Sequence, residues 1–370
     1  MIPLCEPVIN GKEWDYIKDC LDTGWVSSVG SYVDMFEKQF NDYIGAANSV
    51  VTVNGTAAIA LALEILGIGL GDEVIVPSMT FIASVNPIIY CGAAPVFSDI
   101  TEDTWVMDVS KVEELINDRT KAIIPVHVYG NMVDMEALLK IADKYGIPII
   151  EDATEALGSK YRMSDGNWYM AGTLGRFGAF SFNGNKLITT GAGGMLVTKK
   201  FDEGKQAKYL SNQSKSVALN GGVFHETVGY NYRMPNLLAA MGVAQLEKID
   251  DYLAEKSRQA KMYNKLLAGV KGIIIPAEKD NVIHSHWLYS VLVTDEFRIS
   301  RDDLMVELKK KGIISRPFFM EIHKMAPYLG YRAGDLKLSA KISNTGINLP
   351  STVGLSDDEI KFIVDAIIME

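Results

Sequence analysis

Lys186 stands in the run FGAFSFNGNKLITTGAGG (177–194), where strand-forming apolar residues and small turn residues surround a single cation. A lysine is ordinarily a surface residue. This one has small or apolar neighbours that give its amine little solvent, a setting that suits Schiff-base chemistry. Gly184, Gly191, Gly193 and Gly194 allow backbone to approach a ligand closely. The second feature is Asp152 in IIEDATEALGS, which closes an apolar run where a strand would end. A helix N-cap is the plainer reading of that aspartate, and the local sequence does not separate the two. A strand-end carboxylate together with a lysine in a later turn suggests pyridoxal phosphate. The carboxylate would keep the pyridine nitrogen protonated, making the ring an electron sink, and the lysine would carry the aldehyde.

Three weaker signals accompany this pair. Asn54, Gly55 and Thr56 in VNGTAAIALALE open a helix after an apolar run, and free N–H groups with a hydroxyl at a helix start bind phosphate. Any N-capped helix looks the same. Phe81 in PSMTFIAS follows a strand, so it is either a core aromatic or a ring laid on a flat cofactor. His284 and His286 in HSHW share a face if the chain is extended, but no third ligand accompanies them, so no metal is expected. The glycines of GIGLGD (67–72) precede a strand instead of following one, which excludes a dinucleotide fingerprint.

The elements that must hold these residues can be read from periodicity. EVIVPS (73–78), APVFSDI (94–100), KAIIPVHVYG (121–130), IPIIEDA (147–153), FGAFSF (177–182) and GGMLVT (193–198) have the composition of buried strands. TAAIALALEILG and MEALLKIADKYG have helical spacing and end in glycine. Alternating strands and helices predict a mainly parallel central sheet covered on both faces, with ligands beyond the carboxyl ends of its strands. After Asn212 the pattern changes. The polar stretch NQSKSVALNGGVFHET reads as a long surface or interface loop, and 234–267 as one helical stretch. WLYSVLV, SRDDLMVELKKKG and SDDEIKFIVDAI then suggest a smaller C-terminal α+β domain. The expected division is 1–248 for a large cofactor-binding domain with its N-terminal segment, and 249–370 for the small one.

Bulk properties narrow the function. With 370 residues, 48% of them hydrophobic, the chain can bury a large core. A formal charge of −10 argues against nucleic acid or an anionic membrane as partner. Glu6 interrupts the apolar N-terminus and no basic segment precedes it, so no secretory signal is expected and the protein reads as cytoplasmic. Cys5, Cys20 and Cys91 are too few and too scattered for a disulfide framework or a zinc site.

NGTAAIALAL, GDEVIVPSMTFIASVN, TKAIIPVHVYG, IIEDATEALGS, FSFNGNK, TTGAGGM, GYNYRMPN and GINLP follow one another in an order and spacing that resembles the sugar-nucleotide aminotransferases, fold-type I enzymes dependent on pyridoxal 5'-phosphate. The resemblance runs nearly end to end. It implies that Lys186 holds the cofactor as a Schiff base and that Asp152 partners the pyridine nitrogen. It further implies that Glu155 contacts the ring hydroxyl, Phe81 stacks on the ring, and Gly55, Thr56 and Ser181 bind the phosphate. Asn231 would reach the phosphate from a neighbouring subunit, making the active unit a homodimer. Trp25, Ser27, Arg316 and His323 would line the sugar end. The implied reaction moves the amino group of L-glutamate to C4 of a nucleotide-linked 4-keto-6-deoxy sugar, GDP-linked for preference, with UDP or dTDP as alternatives. A non-catalytic cofactor-binding regulator is a further alternative, against which the intact lysine weighs. Two departures bear on substrate: Arg176 stands where relatives often carry an acid, and Ala192 replaces another acid.

Overall fold

The computed structural model describes residues 1–369. Its centre is a sheet of seven strands: β1 (Asn48–Thr52), β2 (Glu73–Pro77), β3 (Ala94–Ser98), β4 (Thr120–Ile123), β5 (Ile150–Asp152), β6 (Phe177–Ser181) and β7 (Gly194–Thr198). Two hydrogen-bonded sets, β1-β7-β6-β5 and β3-β2-β4, meet where Ile123 bridges Ile149 and Val126 bridges Asp152, both in parallel. The resulting order is β1-β7-β6-β5-β4-β2-β3. All strands run parallel except β7, which is antiparallel to both neighbours. Such a sheet is covered on both faces, which explains strands that are apolar throughout instead of alternating. All five residues of β2 and of β7 are buried.

Helices α1 (Glu13–Thr23), α2 (Ser31–Ile44) and α3 (Gly55–Ile65) pack on this core. Phe36 and Phe40 of α2 meet Phe182 and Phe180 with ring centroids 5.1 and 5.0 Å apart. The period of two along a strand puts Phe180 and Phe182 on one face and Ser181 on the other. Burying the two phenylalanines against α2 therefore turns Ser181 outward and aims the loop that carries Lys186 along the same side. Each fully buried ring of this kind is worth about 1.5–3 kcal/mol.

A second core joins Ala260, Tyr263 and Leu267 to Tyr289, Val291, Val293, Leu304, Leu308, Ile347, Leu349, Ile360 and Ile363. Its sheet pairs Tyr289–Val293 with Gly346–Leu349, antiparallel. The stretch 234–267, expected as one helix, is two: Asn236–Leu246 and Ile249–Leu267. The chain passes from one core to the other later, within the second helix, whose Ile249 and Tyr252 still belong to the first. Ala239, Ala240 and Val243 lie in the first core, and Ala260, Tyr263 and Leu267 in the second. The stretch after Asn212 also differs from the loop expected. Lys215–Val217 and Val223–His225 form an exposed antiparallel hairpin. Its turn contains Asn220-Gly221-Gly222 between Val217 and Val223, a hairpin signal present in the sequence but obscured by the polar residues around it. No helix among the described residues is long and apolar enough to cross a membrane.

Candidate active site

The carboxyl ends of β2, β5 and β6 and the start of α3 surround a cleft of roughly 560 Å³. Gly55, Thr56, Phe81, Asp152, Glu155, Ser181, Lys186 and Arg316 all line it. A groove of 720 Å³ lies near the amino ends of β2 and β4, bounded by Asp72, Asn117, Lys121, Tyr145 and Arg176. It is larger, but it holds no convergent acid–base pair. Arg176 itself forks Glu203 through Nε at 2.9 Å and a terminal nitrogen at 2.6 Å. The unusual base at 176 is therefore answered by an acid on the helix Phe201–Ser211, away from the cleft.

Lys186 follows a turn in which its own N–H donates to the Asn183 carbonyl. Its side chain is 13% exposed, and Nζ lies 3.6 Å from Glu155 Oε1. Nζ is also 3.9 Å from the centroid of the Trp287 ring. Glu155 is buried, and its Oε2 accepts the Tyr129 N–H at 2.9 Å. Burial pushes the Glu155 carboxyl up, while Lys186 and the Tyr129 N–H draw it back.

Asp152 is buried at the end of β5. The Ser84 hydroxyl donates to its Oδ2 at 2.6 Å and the Thr154 N–H to its Oδ1 at 3.1 Å. The N-cap reading does not hold, since no helix follows Asp152; the bond from the Thr154 N–H closes a local turn instead. The carboxylate also borders the cleft. The adjacent Glu151 points elsewhere and accepts from His127 Nε2 and from the N–H groups of Gly172, Leu174 and Gly175. Four donors satisfy that carboxylate, which ties β5 to the turn after Met170.

At the start of α3, the Asn54 side chain accepts the Ala57 N–H at 2.8 Å. The N–H groups of Gly55 and Thr56 have no acceptor among the described residues and face the cleft. Gly194 of β7 runs against this turn so closely that an added Cβ would stand 2.4 Å from the Asn54 carbonyl carbon. The turn's free donors are thereby held by backbone packed on backbone. Phe81 is 55% exposed and packs on Phe319 at 5.8 Å.

The remaining expected residues lie outside this cleft within one chain. Asn231 is exposed and bridges Asn212. Trp25 is exposed, and its carbonyl accepts from the Asn236 side chain, while the Ser27 carbonyl accepts the Asn236 N–H. His323 Nδ1 is hydrogen-bonded to the Ser78 hydroxyl at 2.7 Å, and burial lowers its pKa. It sits behind the segment that carries Phe81. His284 and His286 stack at 4.0 Å, with His286 in the left-handed region (φ 50), so the chain there is not extended. Among the described residues no group of three or more side chains could hold a metal ion.

Sequence reasoning missed Tyr129, Trp287 and Phe319. Tyr129 has φ 56, a left-handed backbone that nothing in VHVYG announces. Trp287 had a signal, since it directly follows the HSH triplet that drew attention for metal binding.

The donor set fits pyridoxal phosphate. It offers an amine beside a carboxylate, a second buried carboxylate, a helix start with free N–H groups, and an exposed aromatic ring. Comparison with known proteins decides the family: residues 7–368 match the DegT/DnrJ/EryC1/StrS aminotransferases. The chain belongs to that family. It is 42% identical to a GDP-perosamine synthase of Vibrio cholerae over 369 residues, covering 99% of this chain and 98% of that one. It is 41% identical to a GDP-perosamine synthase of Caulobacter vibrioides, covering 99% and 97%. Among solved structures, the putative sugar aminotransferase Spr1654 of Streptococcus pneumoniae, in its PMP form, superposes with a TM-score of 0.93 at 28% identity, covering 100% and 98%. The protein is a pyridoxal-phosphate-dependent sugar aminotransferase.

Proposed function

We propose that the protein transfers the amino group of L-glutamate to C4 of a GDP-linked 4-keto-6-deoxy sugar, as a GDP-perosamine synthase does, in the cytoplasm and in the service of a surface polysaccharide. The observation that carries this reading is the end-to-end likeness to two GDP-perosamine synthases at above 40% identity. The chemistry is supported by the cleft in which Lys186, Glu155 and Asp152 converge.

Bound pyridoxal phosphate supplies an aldehyde for the amine and a ring that withdraws electrons from it. The Lys186 amine would hold that aldehyde. Once free, its Nζ would take the α-proton of glutamate, and in the return half it would deliver a proton to C4 of the sugar. Asp152, oriented by Ser84 and Thr154, would partner the ring nitrogen. Glu155, held by the Tyr129 N–H, would contact the ring hydroxyl. The N–H groups of Gly55 and Thr56 and the Ser181 hydroxyl would receive the phosphate, helped by the α3 dipole. Phe81 would stack on the ring.

Asn231, exposed and remote from its own cleft, reaches the phosphate of a second copy, so the working unit is a homodimer. Trp25 and Ser27 join Arg316 and His323 at the sugar end. The large domain, 1–248, carries the cofactor, and the small one, 249–370, closes the cleft with Trp287, Arg316 and Phe319. A UDP- or dTDP-linked keto sugar is the second reading, kept open by Ala192, which borders the cleft at a position where relatives often carry an acid.

The test is incubation with glutamate and each of GDP-4-keto-6-deoxymannose, UDP-4-keto-6-deoxy-GlcNAc and dTDP-4-keto-6-deoxyglucose, following 2-oxoglutarate release. The GDP sugar should be turned over fastest. Clear preference for the UDP or dTDP sugar overturns the nucleotide assignment, and no turnover of any of them overturns the sugar assignment.

A further inference from the structure

The two neighbours of the Lys186 amine are each fixed by contacts of their own. Glu155 Oε1, at 3.6 Å, is an ion-pair partner but too distant for a good hydrogen bond. The Trp287 ring, 3.9 Å away, lies well inside the range in which an aromatic face attracts an ammonium group. Trp287 is only 3% exposed. Its Nε1–H donates to the Asn185 carbonyl at 2.6 Å, the residue directly before Lys186. Its own carbonyl accepts from Lys256 Nζ at 2.9 Å, and Lys256 Nζ also donates to the Ser351 carbonyl. Lys256 is buried and has no carboxylate partner among the described residues, and its amine donates to those two carbonyls. The indole is thus anchored at its N–H and through its backbone. Gly130 makes room for the backbone that carries Trp287: with φ 103, its added Cβ would stand 2.5 Å from Ser285 Oγ and 3.1 Å from the Trp287 backbone nitrogen.

We propose that Trp287 is a positioning residue that receives the Lys186 amine whenever it is detached from the cofactor. This rests on the reading that Lys186 is the cofactor-bearing lysine. A transaminase lysine leaves the cofactor and returns in every half-reaction. The π face gives the freed ammonium a second attraction beside the carboxylate, with no directional bond to break, so the amine stays within reach and free to swing. Because the indole N–H also holds the Asn185 carbonyl, the same side chain fixes the backbone from which the lysine springs. Trp287 contributes no proton and forms no bond to substrate.

The test compares Trp287→Phe, which keeps a π face but loses the N–H, with Trp287→Leu, which loses both. In the apoenzyme, acetic anhydride labelling of Lys186 is followed by mass spectrometry against exposed Lys18. Labelling should rise several-fold in Trp287→Leu and stay near the unaltered rate in Trp287→Phe. In the holoenzyme, both variants should still give a borohydride-stable cofactor adduct at Lys186. The single-turnover rate with glutamate should fall about tenfold in Trp287→Leu, in keeping with loss of a desolvated cation–π contact, and less than about threefold in Trp287→Phe. KM for glutamate should hold. If Trp287→Leu does not fold, Trp287→Met, which fills the space without a π face, takes its place. Labelling and turnover within twofold of the unaltered protein in the aliphatic variant overturn the proposal, as does a phenylalanine variant as slow as the aliphatic one. Failure of the unaltered protein to give the adduct at Lys186 overturns instead the reading beneath it.

Discussion

Replacing Asp152 by asparagine separates the chemical task of that residue from its structural one. The carboxylate accepts from Ser84 and Thr154. An asparagine can keep the Thr154 N–H on its Oδ1 and present Nδ2 to the Ser84 oxygen. The Ser84 proton then has a second acceptor, the Thr80 hydroxyl at 3.0 Å, where either oxygen can donate. Every polar atom stays paired, so the cost in stability is the difference between charged and neutral hydrogen bonds, about 1 kcal/mol. The catalytic cost is larger. In the proposed mechanism the variant lacks the carboxylate that would keep the ring nitrogen protonated, and losing one partner of a buried ion pair costs about 3–5 kcal/mol. At about 1.4 kcal/mol per tenfold, the glutamate half-reaction should slow by roughly a hundredfold to a few thousandfold. Stopped-flow absorbance of a single turnover, with a urea titration alongside, measures both quantities. A variant keeping more than about a tenth of the original rate would refute the assignment. So would a rate loss that merely tracks a much larger loss of folded protein.

Lys186→Ala should bind the cofactor without a borohydride-reducible link and lose at least about a hundredfold to ten-thousandfold in turnover, checked by mass spectrometry and oxoglutarate release. Gly194→Ala drives a methyl group to 2.4 Å from the Asn54 carbonyl carbon and 2.6 Å from the Gly55 nitrogen. Because those are backbone atoms, it should cost about 1–3 kcal/mol in a urea titration and weaken cofactor binding. The buried Glu155 carboxyl has its pKa raised above the ordinary 4.5 in the folded chain, so folding takes up a proton there. The stability that this provides is present below the ordinary value and lost as pH rises through the folded one. Apoenzyme carrying Glu155→Gln should therefore gain stability relative to the unaltered apoenzyme as pH rises through that window. A difference that does not change with pH contradicts the burial argument.

Much of the architecture was legible because its signals are local. The apolar strands ending in Ser78, Asp152 and Ser181, and the glycine-stopped helices between them, prescribe a mainly parallel sheet with its cleft at the carboxyl ends. The antiparallel β7 was not legible. A buried strand has the same composition in either direction, and only its pairing with β1 and β6 shows which way it runs. The break at 247–248 was hidden for a related reason. No proline or glycine marks it, and Leu246 and Ile249 on either side of it are buried in the same core, so neither composition nor burial announces it.

By itself the sequence determined which residue types meet in the cleft. Lys186, Asp152, Glu155, Phe81 and the Gly55-Thr56 turn belong to short segments whose strands or helix starts place them at one end of the sheet. Only the tertiary structure decided what holds them there. Trp287 reaches Asn185 across 102 residues and Phe319 reaches Tyr129 across 190. Tyr129 offers its N–H to Glu155 from a backbone conformation that the surrounding packing imposes. No local periodicity records such pairings, because the free energy that selects them comes from burial and hydrogen bonds between segments far apart in the chain.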